Sequence, residues 1–494
     1  MSFPYLSLIV FLPVVGAILI ALVPNLSSPT IKRIAAVFAF IPFVLSIILF
    51  LAFDRSSAAS GVIQFEEKVL WIAPLNAYYH LGVDGISLPL VILMAFLGFL
   101  VVLISWKIDL RPREYFAWLL LLETSILGVF MSLNLLLFFL FWEVEVIPMY
   151  FLISIWGTGR REYSAMKYVV YTLFGSALML AGILSIYFAS DPHSLSMIDI
   201  ARGTVSLKPV IPFVAIFFLL FIGFATKLPV FPLHTWLPDA HTDAPTAVSV
   251  VLAGTLLKMG GYGMIRLPVS IFPQVAHDYA PLLAVFAVIS VLYGAAVTLR
   301  QTDVKRLIAY SSVSHMGYVL LGIAALTPVS LTGATLQMFS HGVITGLLFT
   351  MAGLVMHNAE ERNLSKLGGL AKQMPVIAVV FSIAGLASLG LPATSGFAAE
   401  FLIFVGSFSS AIAGIQLYTI LAVLGVVVTA GYILWMLQRV FFGPPLAQFT
   451  HAHDADALEK VTIFSLIIVI VLVGIYPAIL TDVIRLGQFM LFIK

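Results

Sequence analysis

Apolar stretches of about twenty residues recur from one end of this 494-residue chain to the other, and that recurrence limits what it can fold into. A helix of about that length spans the roughly 30 Å hydrocarbon layer of a bilayer. About fourteen windows can be counted, at 4–23, 34–53, 86–106, 115–132, 134–156, 167–189, 211–238, 246–265, 281–299, 307–326, 330–356, 375–407, 417–441 and 461–481. Charged residues are only 10% of the chain, against about 25% in a soluble domain. The pattern predicts an all-α polytopic membrane protein. The first window lacks a basic flank and a small-residue cleavage pattern, so it reads as a retained helix rather than a removed signal. The polar segment 54–85 reads as an external loop with some local structure.

Charge in the loops sets the orientation. With loops numbered in order, the odd ones hold sixteen Lys and Arg residues, among them Lys32, Arg113, Arg160, Lys167, Lys305 and Arg439. The even ones hold five: Arg55, Lys68, Arg202, Lys208 and Arg266. The positive-inside rule puts the odd loops in the cytoplasm, and an even number of crossings then leaves both termini outside. The seventh window carries Pro229 and Pro232, and the twelfth carries Gly390, Pro392 and Gly396. Both are too long for one straight crossing, and proline removes a helical hydrogen bond. They read as broken helices. Five positions separate them, an odd shift, so they run in opposite directions, as in an inverted-topology repeat of helices 4–8 against 9–13. Two unrelated proline kinks are the alternative. The expected divisions are 1–114, 115–265, 266–441 and 442–494.

Single ionisable residues sit near the middle of several windows: Glu143, Lys227, Lys258, His315 and His341, with Glu400 following the Gly/Pro break of the twelfth. A lone charge at bilayer centre costs about 2.5–3.5 kcal/mol on insertion scales. A row of titratable groups at one depth suits proton movement along the membrane plane, with short water-filled arms reaching each side. A lysine and a carboxylate about 4 Å apart interact by about 4 kcal/mol at an effective dielectric of 20, equivalent to roughly three pKa units. Moving one proton against about 100 mV takes about 2.3 kcal/mol. Movement of Glu143 relative to Lys227 is therefore large enough in energy to load and unload the lysine.

Each residue also has a static reading. Glu143, Lys227, Lys258 and Glu400 could be halves of fixed pairs or partners of freed carbonyls, and a lone buried histidine is commonly a satisfied structural group. Glu145 lies about 200° round the helix from Glu143, so both cannot face one partner; it reads as an interface or supporting group. Glu123 is either a further carrier or a helix–helix hydrogen bond. His234 would share a face with Lys227 only on an unbroken helix. The loop HAHDADALE, with His451, His453, Asp454 and Asp456, reads as solvated rather than metal-binding. A net charge of +2 without a basic block gives no nucleic-acid footprint. With no cysteine, thiolate-held iron–sulfur clusters and disulfides are excluded, and no P-loop, dinucleotide or haem-attachment motif occurs.

The stretches LLLFFLFWEVEVIPMYFLISIWG, GFATKLPVFPLHTWLPDAHTDAPTAVSVVLAGTLLKMGGYGMIR, QTDVKRLIAYSSVSHMGYVLLG and TSGFAAEFLIF resemble the antiporter-like subunits of respiratory complex I, most closely the M type, or chain 4. The resemblance covers nearly the whole chain. It implies fourteen helices in two inverted five-helix repeats, and proton pumping coupled to quinone reduction elsewhere in the complex. It implies Glu143 and Lys227 as a pair, Lys258 as the bridging lysine, His315 and His341 as the central relay, and Glu400 as the terminal carrier. The similar L and N subunits and the multisubunit cation/proton antiporters usually carry lysine at that last position, and the L type adds a long lateral helix. Glu145 departs from some M-type sequences, whereas a WE-x-E pattern occurs in photosynthetic relatives, which opens the identity of the electron donor and quinone. NADH, FMN, iron–sulfur clusters and quinone are expected in partner subunits and none in this chain. The L- and N-type neighbours and lipids are the expected partners. The implied location is a bacterial inner membrane or an energy-transducing internal membrane.

Overall fold

The structure, a computed structural model, describes residues 3–488. Among these residues, twelve helices are long and apolar enough to cross a membrane, and two further crossings are each made of two shorter helices. In chain order they are α1 Tyr5–Leu22, α2 Ser28–Ala52, α3 Ser87–Lys107, α4 Pro112–Met131, α5 Leu135–Trp156 and α6 Arg161–Ala189. The seventh crossing is α7 Phe213–Lys227 with α8 Trp236–Asp243. There follow α9 Thr246–Val269, α10 Pro273–Thr298, α11 Val304–Ala324 and α12 Pro328–Ala359. The twelfth crossing is α13 Pro375–Ser388 with α14 Ser395–Phe408, followed by α15 Ile415–Phe441 and α16 Ala457–Ile475. A short helix, α17 Ala478–Leu486, lies beyond the last crossing.

Local chemistry starts these helices where they start. Proline occupies the first turn of α4, α10, α12 and α13, where its missing N–H costs no hydrogen bond. Asn134 caps α5 through Leu136 N (3.0 Å) and Leu137 N (3.3 Å). Thr327 with Ser330, and Asp456 with Glu459, form reciprocal caps on α12 and α16. The histidine and aspartate loop is held by such work. Both oxygens of Asp454 accept from α13, at Val376 N (2.8 Å) and Ile377 N (3.1 Å). Asp456 pairs with Lys107 at 2.9 Å. Among the described residues, no three metal-ligating side chains converge.

The two broken crossings interrupt at the predicted prolines and glycines. Between α7 and α8 the chain turns through 228–235, and the freed polar groups find partners inside protein, as membrane depth requires. Trp236 Nε1–H donates to Thr226 O (2.9 Å), and Phe231 N donates to Ser290 Oγ (3.0 Å). The second interruption, 389–394, contains Gly390 at φ +79, a left-handed position. A Cβ there would lie 2.9 Å from Glu400 Oε2, so the glycine also leaves the carboxylate its space. The crossing formed by α9 is fully buried and carries two widened, π-helical turns, Leu252–Leu256 and Ile265–Val269, on either side of Lys258. Its Gly260 lets it press on α7: a Cβ would come 2.5 Å from Leu228 N and 2.8 Å from Phe224 O.

The 54–85 segment does have local structure. Strands β1 Gln64–Ile72 and β2 Ala77–Val83 pair antiparallel, with Val69 opposite Tyr79 and Leu70 opposite Tyr78. A second, two-residue pairing joins Ser190–Asp191 to Ser206–Leu207, so the helical bundle carries two small antiparallel ribbons. His80 of β2 is buried and bonds Glu66 Oε1 through Nε2 at 2.7 Å. Burial outweighs the pull of Glu66 and holds this imidazole below its ordinary value of 6.5. The unfolded hairpin therefore binds more protons than the folded one just below pH 6.5, and hairpin stability drops as pH falls through that range. Amide hydrogen exchange across β1 and β2, corrected for intrinsic rates, should show less protection below about pH 6 than above about pH 7. Greater protection at the lower pH would refute this.

Candidate functional site

Most of the ionisable residues expected from the sequence fall into two clusters, one on each side of the contact between α7 and α9. The first is built around Lys227, the last residue of α7. Lys227 is buried and forms an ion pair with Glu145 Oε1. The other carboxylate oxygen, Oε2, accepts from the Tyr168 hydroxyl of α6 at 2.5 Å. The Lys227 ammonium also lies 4.0 Å from the centre of the Trp142 ring, a distance at which the ring face attracts a cation. Trp142 in turn donates Nε1–H to Ser176 Oγ (3.2 Å).

The partner of Lys227 is thus Glu145, not the expected Glu143. Of the two carboxylates it is Glu145 that makes the ion pair, so the assignment of the partner was wrong. Regular helix in α5 is interrupted at Glu145, three residues before Pro148, whose missing N–H leaves a carbonyl of the preceding turn unbonded. Glu145 is fully buried, whereas Glu143 is partly exposed on the face that carries the exposed Leu140 and Ile147. Glu143 makes no ion pair among the described residues, and its Oε1 has no hydrogen-bond partner.

The second cluster runs from α9 through α11 and α12 to the twelfth crossing. Lys258 donates to Ala253 O, a carbonyl in the widened turn of its own helix, and its Nζ lies 2.7 Å from His341 Nδ1. A π-helical turn beside a functional group recurs in proteins; here it gives the buried Lys258 Nζ an acceptor. The rings of His341 and His315 are 5.5 Å apart at 53°. His315 Nδ1 faces Ser311 O (2.8 Å) and Nε2 faces Ser388 O (2.9 Å). Both carbonyls only accept, so a neutral imidazole satisfies one of them and the doubly protonated ring satisfies both. Glu400 Oε1 lies 3.7 Å from His315 Nε2. Lys258, His341, His315 and Glu400 therefore form one continuous series. Among the described residues no side-chain hydrogen bond joins it to the Lys227 cluster.

Two expected supporting residues stand apart. Glu123 is buried against Gly98 of α3, where a Cβ would meet its Cδ at 2.6 Å, and its Oε1 has no partner. His234 lies in the 228–235 turn, between Phe231 (5.7 Å) and Tyr293 (5.1 Å), with neither ring nitrogen bonded. The helix ends at Lys227, so the helical spacing between the two does not apply.

Over residues 132–429 the chain matches the family described as NADH:quinone oxidoreductase/Mrp antiporter, transmembrane region. The chain belongs to that family. It is 40% identical over 486 residues to NAD(P)H-quinone oxidoreductase chain 4 1 of Synechococcus elongatus, covering 98% of this chain and 90% of that one. The chloroplastic chain 4 of Mesostigma viride is 38% identical over 488 residues, with 98% and 95% covered. A chain of respiratory complex I from Thermus thermophilus with bound NADH superposes with a TM-score of 0.88 at 28% identity, over 98% of this chain and 99% of that one. A chain of the Mrp complex from a Dietzia species superposes with a TM-score of 0.86 at 19% identity, covering 100% of this chain and 98% of that one, which shows a shared fold.

Within this antiporter fold, four buried polar groups had not been singled out from sequence. His241 of α8 is fully buried, stacks on Phe349 at 4.6 Å and 8°, and has no partner on either ring nitrogen. Reading the seventh window as ending at 238 had put it in a loop. Asp239, also of α8, gathers Lys167 (2.7 Å), Arg306 (3.3 Å) and Arg160 (4.0 Å). Lys305 and Arg266 were counted as loop charges, yet both are buried. Lys305 donates to Ala244 O (2.9 Å), and Arg266 pairs with Asp84.

Removing one partner of a buried ion pair costs about 3–5 kcal/mol, because it strands the other charge. Glu145→Gln should therefore destabilise the protein by about 3 kcal/mol. Glu143→Gln should change stability by less than about 1 kcal/mol. Denaturation midpoints of the two variants in the same detergent will compare them. Equal losses, or a larger loss for Glu143→Gln, would contradict the assignment of the pair.

Proposed function

We propose that this chain is a proton-translocating membrane subunit of an NAD(P)H–quinone oxidoreductase, with no redox centre of its own. The observation that carries the reading is the buried series Lys258, His341, His315 and Glu400 beginning on α9, the helix that abuts the end of α7 where Lys227 pairs with Glu145. Buried charges and rings inside a membrane bundle are expensive in a passive anchor and useful in a lateral proton path. In this reading the charge of Glu145 governs Lys227, Lys258 and the two histidines pass protons along, and Glu400 exchanges them with one side. Glu143, on the outward face, meets a neighbouring subunit. Glu123 and His234 are accessory. The two five-crossing units, 115–265 and 266–441, carry one half of the path each.

The odd loops face the cytoplasm and both termini lie outside, in a bacterial inner membrane or an internal energy-transducing membrane. A cavity of about 360 Å3 on the side of the odd loops has a mainly apolar lining, including Leu103, Ile104, Trp156 and Leu354, with Thr350 and His357 among its polar groups. Thr350 follows Phe349, the ring on which His241 stacks. NADH or another electron donor, flavin, iron–sulfur clusters and quinone belong to partner subunits, with L- and N-type chains as neighbours. The names of the relatives and the chain from complex I support this.

Lys227→Ala should bring proton translocation coupled to quinone reduction down to background while the complex still assembles. Sealed vesicles supplied with an oxidisable donor, with an internal pH probe, will measure it. Native proton transport by the variant would overturn the reading. Cation-driven proton movement in the native vesicles without any donor would instead indicate a redox-independent antiporter.

A further inference from the structure

The Glu145 carboxylate is held from two sides by different groups. Lys227 engages Oε1. Tyr168, fully buried on α6, donates its hydroxyl to Oε2 at 2.5 Å. The lysine likewise has two holders: the carboxylate, and the face of Trp142 at 4.0 Å. Trp142 is fixed by its own bond to Ser176. In the closed pair these holders satisfy the lone pairs and protons that the mutual attraction leaves over. They matter when the pair opens, because each charge would otherwise be left in a medium that cannot solvate it.

We propose that Tyr168 is a positioning residue for proton translocation: its hydroxyl retains the Glu145 carboxylate while Lys227 leaves it to exchange partners. The tyrosine keeps its proton throughout, and no bond to hydrogen is transferred. Tyr168 supplies the hydrogen bond that compensates the carboxylate in the open state, and the Trp142 ring supports the departing ammonium at the start of its movement. The proposal rests on the function proposed above and adds to it the group that lowers the cost of opening the pair. From the sequence alone, Glu145 and Tyr168 are 23 residues apart on successive crossings, and nothing in their spacing marks them as partners.

The test uses the whole complex in sealed vesicles, with Tyr168→Phe, which removes the hydroxyl and retains the ring. Proton-coupled turnover should fall about tenfold, the size expected for losing a hydrogen bond to a charged group, at unchanged content of assembled complex. In the native complex, the infrared difference spectrum of turnover should contain a tyrosine C–O band that moves as the hydroxyl changes from a shared to a sole partner of the carboxylate. That band should be absent in Tyr168→Phe. In a Glu145→Gln background, Tyr168→Phe should cause no further loss, because the group it acts through is gone. The infrared comparison does not depend on that double variant assembling. Native turnover by Tyr168→Phe, with no tyrosine band changing, would overturn the proposal. If Lys227→Ala also pumps normally, the proposed function fails with it; if Lys227→Ala is inactive, the inference about Tyr168 fails alone.

Discussion

A lysine ammonium and a glutamate carboxylate, both fully enclosed where the seventh crossing breaks, are the interaction on which the rest of the arrangement depends. In such surroundings neither charge is comfortable alone, and their attraction is offset by what each lost in leaving water. A closed buried pair of this kind contributes modestly to net stability. Its value lies in sensitivity: a small displacement of either partner changes the energy of the other by an amount comparable to the work of moving a proton against a membrane potential. The fold keeps this pair where displacement can be transmitted, at the end of α7, beside the glycine-permitted contact with α9.

The broken crossings follow from the same constraint. A continuous helix would bury its backbone polar groups internally and leave nothing to bend. The turn at 228–235 frees some of them, and indole and hydroxyl groups from neighbouring segments recapture them. In the twelfth crossing, the left-handed Gly390 leaves room for Glu400 beside the break. On α9 the device is different. There a widened helical turn exposes the carbonyl that Lys258 engages. Backbone irregularity occurs beside Glu145, Lys227, Lys258 and Glu400, whereas His315 and His341 sit in uninterrupted helices.

Much of this was legible in the sequence, because bilayer thickness imposes one length on every crossing and because proline and glycine mark where a crossing fails. The count of fourteen, the two interruptions and the local structure of 54–85 followed from those rules. Lys258, His315 and His341 were singled out by their mid-window position and Glu400 by the Gly/Pro break before it, and the four lie next to one another. The failures have a common cause in helical phase. Choosing Glu143 over Glu145 required knowing how α5 is rotated, and its regular turn is lost at Glu145 itself, ahead of Pro148. His234 was weighed on a helix that does not continue past Lys227, while His241 was assigned to a loop because the hydropathy run ended before it. Lys305 and Arg266 look like loop charges to any window average, but each reaches a specific buried acceptor.

What joins the Lys227 cluster to the Lys258 cluster is the central claim. A cryo-electron microscopy map of the assembled complex, sharp enough to show individual waters, tests it most directly at the α7–α9 contact. Ordered water linking Lys227 Nζ to Lys258 Nζ is the predicted result. Continuous side-chain density with no water and no polar group between the two lysines would contradict it, leaving a membrane fold with two unconnected sets of buried charges.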